Sequence, residues 1–423
     1  MQNKLLTVTA IIFLSVFSLK AQVNLGSPYS RFGIGDIETL KIGRSNGMGG
    51  ISLGLRLPYE INPSNPASYS AIPNKVFLFQ TGFKFKKTDY SDANDRVVDY
   101  NFKLNSINAA FSVNKYWGMS FGMNPMSSIS YKILNSDSIS SGDYTSHFNN
   151  KYTGEGGITD LYFGNAFVYK GISVGINASY LFGPLLNRTE SAQSEQGYSS
   201  YVYSLTNTKI KDFHIRYGIQ YTDSLFKKYS FTIGGFYENK TDLNTVRTKF
   251  VSRTINPTSD NPLSDTIMND TLTSGTIQIP TAYGFGFSFM TKKFIFGADY
   301  KRSNWGNVLF FNEKPSSLTN AGTVAFGVEY TNDFISKEFF KTINWRFGGH
   351  FTNSEVILNN NQIKDFGINF GVGIPTKLGA KMNIGFEIGK RGTTENNLIK
   401  ENYYMMNFNI NLIDRWFIRR RFF

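Results

Sequence analysis

Between Lys75 and Asp414 the chain repeats one pattern, strands of alternating apolar and polar residues joined in turn by a long polar connection and a short one. Ile107, Ala109, Phe111 and Val113 alternate with Asn108, Ala110, Ser112 and Asn114. Ile384, Phe386 and Ile388 alternate with Asn383, Gly385, Glu387 and Gly389, and Phe408, Ile410 and Leu412 with Asn407, Asn409 and Asn411. A period of two places each set on its own face of a sheet. Apolar side chains on one face, with Asn, Ser, Gly, Lys and Glu on the other, suit a barrel in lipid. There, closure of the sheet satisfies every backbone hydrogen bond. The fold expected is all-β, a transmembrane antiparallel barrel of about 14 strands.

The strands are expected at 76–87, 102–114, 117–132, 159–170, 171–184, 200–222, 227–252, 275–291, 292–305, 320–331, 342–353, 364–374, 380–391 and 402–413. Long Ser/Asn/Asp-rich loops at 88–101, 133–158, 185–199, 253–274, 306–319, 354–363 and 392–401 follow the odd strands, and short turns such as Lys115-Tyr116 and Lys170-Gly171 follow the even ones. Short turns face the periplasm in bacterial barrels, so both termini are expected there. The connection 332–341 is long for a periplasmic turn, and a turn at Asn239 to Asp242 would raise the count to sixteen. Tyr116, Trp117, Tyr169, Tyr229, Trp305, Tyr330 and Trp345 fall near strand ends, where interfacial girdles belong. The count of 39 Phe and 24 Tyr favours a lipid-facing band over a soluble sandwich.

Residues 1–21 read as a secretory signal, with Lys4, an apolar run from Leu5 to Leu19, and Ala21 before a cut at Gln22. No later stretch is an apolar run of roughly 20 residues, the length of a spanning helix. Mean hydropathy is −0.25, as fits a chain in which every second residue faces lipid. There are no cysteines, which excludes a disulfide framework, a thiol catalyst and a lipid-anchored cysteine. The net charge of +13 falls to +11 once Lys4 and Lys20 leave with the signal. The charges are scattered, except for Arg415, Arg419, Arg420 and Arg421, so no nucleic-acid partner is expected. Arg419, Arg420 and Arg421, in a basic-aromatic tail at 415–423, suit headgroup phosphates or a protein partner.

Residues 22–74 do not alternate and are rich in glycine and proline, which permit tight backbone paths and stop ladders. They are expected to fold into the lumen as a plug, ahead of the barrel at 75–414. Proline removes a ladder donor, so Pro125, after Asn124 in the third strand, predicts either a harmless bulge or a side opening from lumen to bilayer. Pro280 does the same in the eighth strand. Inward polar residues, among them Lys84, Arg216, Asp299, Lys301, Glu329, Arg346, Asp365 and Glu387, are expected to pair across the lumen or hold the plug. His147, His214 and His350 carry no sign of a catalytic triad, and Asp260, Asp265 and Asp270 lack calcium-loop spacing. No enzyme, cofactor or metal site is expected.

The run Gly47-Met48-Gly49-Gly50, then Asn65-Pro66-Ala67 just before the first strand, together with fourteen strands, resembles the long-chain fatty-acid transporter (FadL) family of outer-membrane barrels. The opening Ser27-Pro28-Tyr29-Ser30-Arg31-Phe32-Gly33-Ile34-Gly35-Asp36 and the ending Arg415-Trp416-Phe417-Ile418-Arg419-Arg420-Arg421-Phe422 are similar to the PorV-type branch of such barrels in Bacteroidota, which serves protein secretion. The resemblance implies a hatch containing Gly47, Gly49, Gly50, Asn65, Pro66 and Ala67. It also implies a hydrophobic ligand bound from outside and released sideways through a kink at Asn124-Pro125. The leading expectation is passive uptake of hydrophobic, fatty-acid-like molecules in the bacterial outer membrane, in contact with outer-membrane lipids. The alternative is a non-transporting accessory barrel in a larger outer-membrane secretion or assembly complex.

Overall fold

A computed structural model describes residues 26–41, 43–93, 95–141, 144–195, 198–226, 228–257, 262–333, 336–376 and 380–416. Fourteen antiparallel staves close a barrel. They are β1 (Val76–Ser91), β2 (Arg96–Asn114), β3a (Trp117–Pro125) with β3b (Ser127–Ser141), and β4b (Tyr144–Gly156) with β4a (Thr159–Tyr169). Next come β5 (Ile172–Glu195), β6 (Tyr198–Leu225), β7a (Tyr229–Glu238) with β7b (Thr241–Ile255), and β8b (Leu263–Ile279) with β8a (Ala282–Met290). The last are β9 (Phe294–Ser303), β10 (Ala321–Thr331), β11 (Asn344–Leu358), β12 (Asn361–Pro375), β13 (Ala380–Arg391) and β14 (Lys400–Arg415). The wall closes where β14 pairs with β1, from Lys400 opposite Ser91 to Arg415 opposite Val76.

Alternation sorts side chains as the sequence requires. Phe386 and Ile388 are exposed on the outer face, while Glu387 between them is buried in the lumen. Asn407, Asn409 and Asn411 likewise face inward and are buried. Two halves of β7 meet at Asn239 without reversing, because both pair with β6, so the count stays at fourteen. Trp305 is a correction. It is not a girdle residue but lies 95% buried against Ile279 and Val308 inside the long-loop end. The connection expected at 332–341 holds a short helix, Phe339–Thr342.

Most of the expected long loops are strand. The segments 88–101, 133–158, 185–199 and 253–274 are largely hairpins whose ladders run on past the membrane-height wall. At 134–140 and 262–270 every residue is exposed, so no apolar alternation was needed there and none marks them in the sequence. His147 therefore sits on β4b rather than in a loop. One true loop is 304–320, which folds inward. With Ile34, Leu181, Leu243 and Ile277 it forms an apolar core across the long-loop end of the lumen.

Residues 26–75 run the length of the lumen. Ser112 Oγ donates to Pro73 O (2.7 Å) and Trp416 N to Lys75 O (2.9 Å) at the short-turn end. At the opposite end Tyr29 donates to Ile399 O (2.5 Å), Arg391 lies 3.4 Å from Ser27 Oγ, and Ser27 hydrogen-bonds Glu401. Val76 and Arg415 thus meet at the short-turn end, while Gly26 is at the other. Residues 1–25 and 417–423, which include the expected signal and Arg419, Arg420 and Arg421, lie outside the described residues.

Candidate functional site: the lumen and the interrupted wall

The N-terminal segment is held by side chains from nearly every side of the barrel. Glu38 pairs with Lys84 (2.7 Å) and with Lys103. Burial works against its charge, but the two ammonium groups outweigh that and hold its pKa far below the usual carboxylate range. Lys41 Nζ lies 3.0 Å from Glu387. Arg44 reaches Glu60 (3.1 Å) and Glu329 (2.5 Å), and Glu329 also takes Arg346 (2.6 Å). Burial also opposes ionisation of Glu60, and Arg44 and Lys381 reverse it, lowering its pKa. The carboxylate of Asp299 accepts from the backbone N–H groups of Ser52 (2.6 Å) and Leu53 (2.9 Å). Lys84, Asp299, Glu329, Arg346 and Glu387 thus all bind the segment or its direct partners. Arg216 pairs with Glu238 and lies 3.4 Å from Pro63 O.

Glycine on both sides lets the two backbones touch. A Cβ on Gly47 would lie 2.7 Å from Gly371 Cα. Gly49, at φ +67°, would place one 2.4 Å from Gly349 O. Gly50, also left-handed at φ +87°, packs on Lys41. Asn65 is fully buried and caps the 3-10 helix Pro66–Ala71, its Oδ1 accepting from Ala67 N (3.2 Å). Its Nδ2 donates to Leu53 O (2.9 Å) and Ile219 O (3.1 Å). Pro66 lies on Gly175 and Gly218, and the carbonyl of Ala67 accepts from Arg56 (3.2 Å). Asn65, Pro66 and Ala67 therefore tie the segment to β5 and β6. Gly47, Gly49 and Gly50 are a separate contact, on β11 and β12 and on Lys41.

Pro125 ends β3a opposite Thr159, and Asn124 beside it is buried, accepting from Asn108 Nδ2 (3.3 Å). The amides of Met126 and Ser127 then both donate to Ile158 O (2.8 and 3.1 Å), and the wall swings away. β3a pairs with β2 up to Met123 opposite Ile107, whereas β3b pairs with β4b but, among the described residues, not with β2. The N-terminal segment meets the orphaned edge of β3b. Glu38 N donates to Met126 O (2.9 Å), Ile37 and Asp36 pair with Ser127 and Ser128, and Ser130 N donates to Ser30 Oγ (3.1 Å). Sequence marked the break through Pro125. Nothing in it marked which residues would cover the edge, because Asp36-Ile37 is too short to show a period.

What remains of the lumen is divided among cavities lined by both polar and apolar groups. One cavity, about 220 Å³, touches Pro125 and Met126 but also Asp160, Arg216, Glu238 and Lys301. Others of about 170, 120 and 20 Å³ are lined by charged groups such as Lys103, Asp365, His350 and Glu60. Small-molecule sites usually run from roughly 300 to 1,000 Å³ with mostly apolar walls. No cluster able to hold a metal occurs among the described residues. Asp265 and Asp270, taken up by the β8b ladder opposite Arg253 and Lys249, do not converge. Asp260 lies outside the described residues.

The model of the BamG family matches residues 1–423. The chain belongs to the BamG family. No curated protein matches it. Among solved structures, this BamG-family barrel is similar to the Pseudomonas putida toluene transporter TodX. They share 13% identity, covering 90% of this chain and 100% of that one, with a TM-score of 0.59. The Ralstonia pickettii toluene transporter TbuX shares 13%, covering 90% and 98%, with a TM-score of 0.54. A Pseudomonas aeruginosa FadL homologue shares 9%, covering 89% and 98%, with a TM-score of 0.51. At such identities the likeness is one of fold. The resemblance to FadL barrels is thus met in the architecture, while the family is BamG.

Proposed function

We propose that this barrel is a closed, non-transporting subunit that docks in a larger outer-membrane secretion or assembly complex. One observation carries the reading. Ion pairs, backbone hydrogen bonds and an apolar core occupy the lumen, and the cavities found among the described residues, of about 220, 170, 120 and 20 Å³, each carry charged groups in their walls. Moving the N-terminal segment would strand buried charges at several places at once, each at a cost of several kcal/mol. Exposed apolar groups beyond the lipid-facing band suit a partner. Phe339 and Phe340 on the short-turn connection are 52% and 80% exposed, and Leu134 and Leu263 on the tall hairpins 69% and 71%. The short-turn end is the periplasmic one in this reading, and the basic Arg419, Arg420 and Arg421 follow in sequence on Trp416, which is bound at that end. Proteoliposomes bearing the full chain should take up a fluorescent fatty acid no faster than empty ones; saturable uptake would overturn closure.

A second reading, uptake of a hydrophobic molecule with lateral release, is favoured by the break in the wall at Met126 and by likeness to hydrocarbon channels. Under it Pro125→Ala would slow uptake while the barrel still inserts. Normal uptake by that variant would exclude a gate at Asn124-Pro125.

A further inference from the structure

Ladder pairing lines up the outward side chains of β12, β13, β14 and β1 in successive rows. Phe370, Phe386, Met406 and Phe85 stand opposite one another in turn, and the next row toward the long hairpins is Ile368, Ile388, Tyr404 and Lys87. Then come Phe366, Lys390, Asn402 and Asp89, and beyond them Lys364, Lys400 and Ser91. The apolar members of these rows are all exposed. On four adjoining staves the apolar wall thus ends in a basic rim. Lys390 is a diagonal neighbour of both Lys364 and Lys400, at roughly 7–8 Å. Lys364 and Lys390 are exposed and, like Lys400, take part in no ion pair among the described residues. The one carboxylate in these rows, Asp89, is already shared by Lys87 (3.8 Å) and Arg96 (2.7 Å). Three ammonium groups therefore stand together without a counter-charge at the edge of an exposed apolar face.

We propose that this face of the wall holds a phosphorylated, multiply acylated sugar lipid of the outer leaflet. Phosphate between Lys364, Lys390 and Lys400 accepts charge-assisted hydrogen bonds from them. The amide of Asn402, on the same rows, offers a donor and an acceptor to sugar hydroxyls. The acyl chains lie down the rows below, over Phe366, Ile388, Tyr404 and Phe386. Four staves at about 4.8 Å spacing make that face about 14 Å wide, room for more than the two chains of a phospholipid. The leaflet follows from the long hairpins, which face outward when the short turns are periplasmic. The site rests on that orientation and not on closure of the lumen.

The test is titration of the full chain in mild detergent with diphosphoryl lipid A and with phosphatidylglycerol, read by native mass spectrometry. One lipid A should be held per barrel, roughly tenfold or more tightly than phosphatidylglycerol. Each lysine near a charged headgroup contributes about a fivefold factor, so Lys364→Gln with Lys390→Gln should weaken lipid A roughly twentyfold. Lys209→Gln with Lys211→Gln makes the same charge change at exposed positions on β6 and should leave binding unaltered. Equal weakening by both pairs, or equal binding of phosphatidylglycerol, would overturn the site in favour of general attraction to a basic wall. Ser138→Cys, exposed on β3b and the sole thiol, reports orientation through a membrane-impermeant maleimide on whole cells. Labelling of that thiol without lipid A binding would refute the site alone. Absence of labelling would refute the orientation, and an outer-leaflet lipid with it.

Discussion

Replacing Glu38 by Gln is the sharpest perturbation of the closed lumen, because it alters the N-terminal segment and leaves the wall sequence intact. The carboxylate is the shared partner of Lys84 and Lys103, and the three side chains are 13%, 15% and 29% exposed. All are under a third exposed, so water screens them only partly. Removing one member of a buried charge pair costs 3–5 kcal/mol in general. Allowing for the half-wet Lys103, about 3 kcal/mol is expected here, a factor of roughly one hundred in the opening equilibrium. The chain has no cysteine, so Ser45→Cys, at a buried position beside Arg44, supplies a unique reporter. Maleimide labelling of that thiol in Glu38→Gln should run roughly a hundredfold faster than in the Ser45→Cys parent. Adding Lys84→Met and Lys103→Met should return most of the protection, since matched apolar groups replace a buried ion cluster at little net cost. Unchanged labelling in Glu38→Gln would refute the idea that these ion pairs hold the segment.

Gly49→Ala forces a side chain at φ +67° into Gly349 O, and should loosen the segment by about 1–3 kcal/mol, read by the same labelling. Asn65→Ala removes the hydrogen bonds to Leu53 O and Ile219 O, the former still held by Gln220, and uncaps a helix, and should cost about 1–3 kcal/mol, seen as faster hydrogen exchange over 65–71. Glu38 and Glu60 have folded pKa values below the roughly 4.3 of the unfolded chain. Their contribution is therefore full above that pH and lost as pH falls through the folded values, so labelling should rise on acidification below about pH 4. Replacing Arg419, Arg420 and Arg421 with Ser should reduce partner recovery in pull-downs with the barrel still inserted.

The barrel was legible because lipid on one face and a packed lumen on the other enforce strict alternation. Ile384 to Gly389 shows it in six residues. The outer ends of the hairpins were not, since residues 134–140 and 262–270 are all exposed and lack the pattern that marks a strand. The tight backbone path of the N-terminal segment was legible from its glycines and prolines, whose roles are local. Gly49 needs φ > 0, and Pro66 starts a helix. Its partners were not, because Glu38 with Lys103 and Arg44 with Glu329 are contacts between residues 65 and 285 positions apart. Pro125 showed where the wall parts, but the cover for that edge is a backbone contact by Asp36-Ile37 that no side-chain pattern records.

The most direct test of a docked, closed subunit is mass spectrometry of the barrel extracted in mild detergent from its own membrane. The account predicts at least one protein partner in fixed ratio and no apolar compound in the lumen. A barrel recovered alone, with a hydrophobic molecule bound one to one, would contradict it.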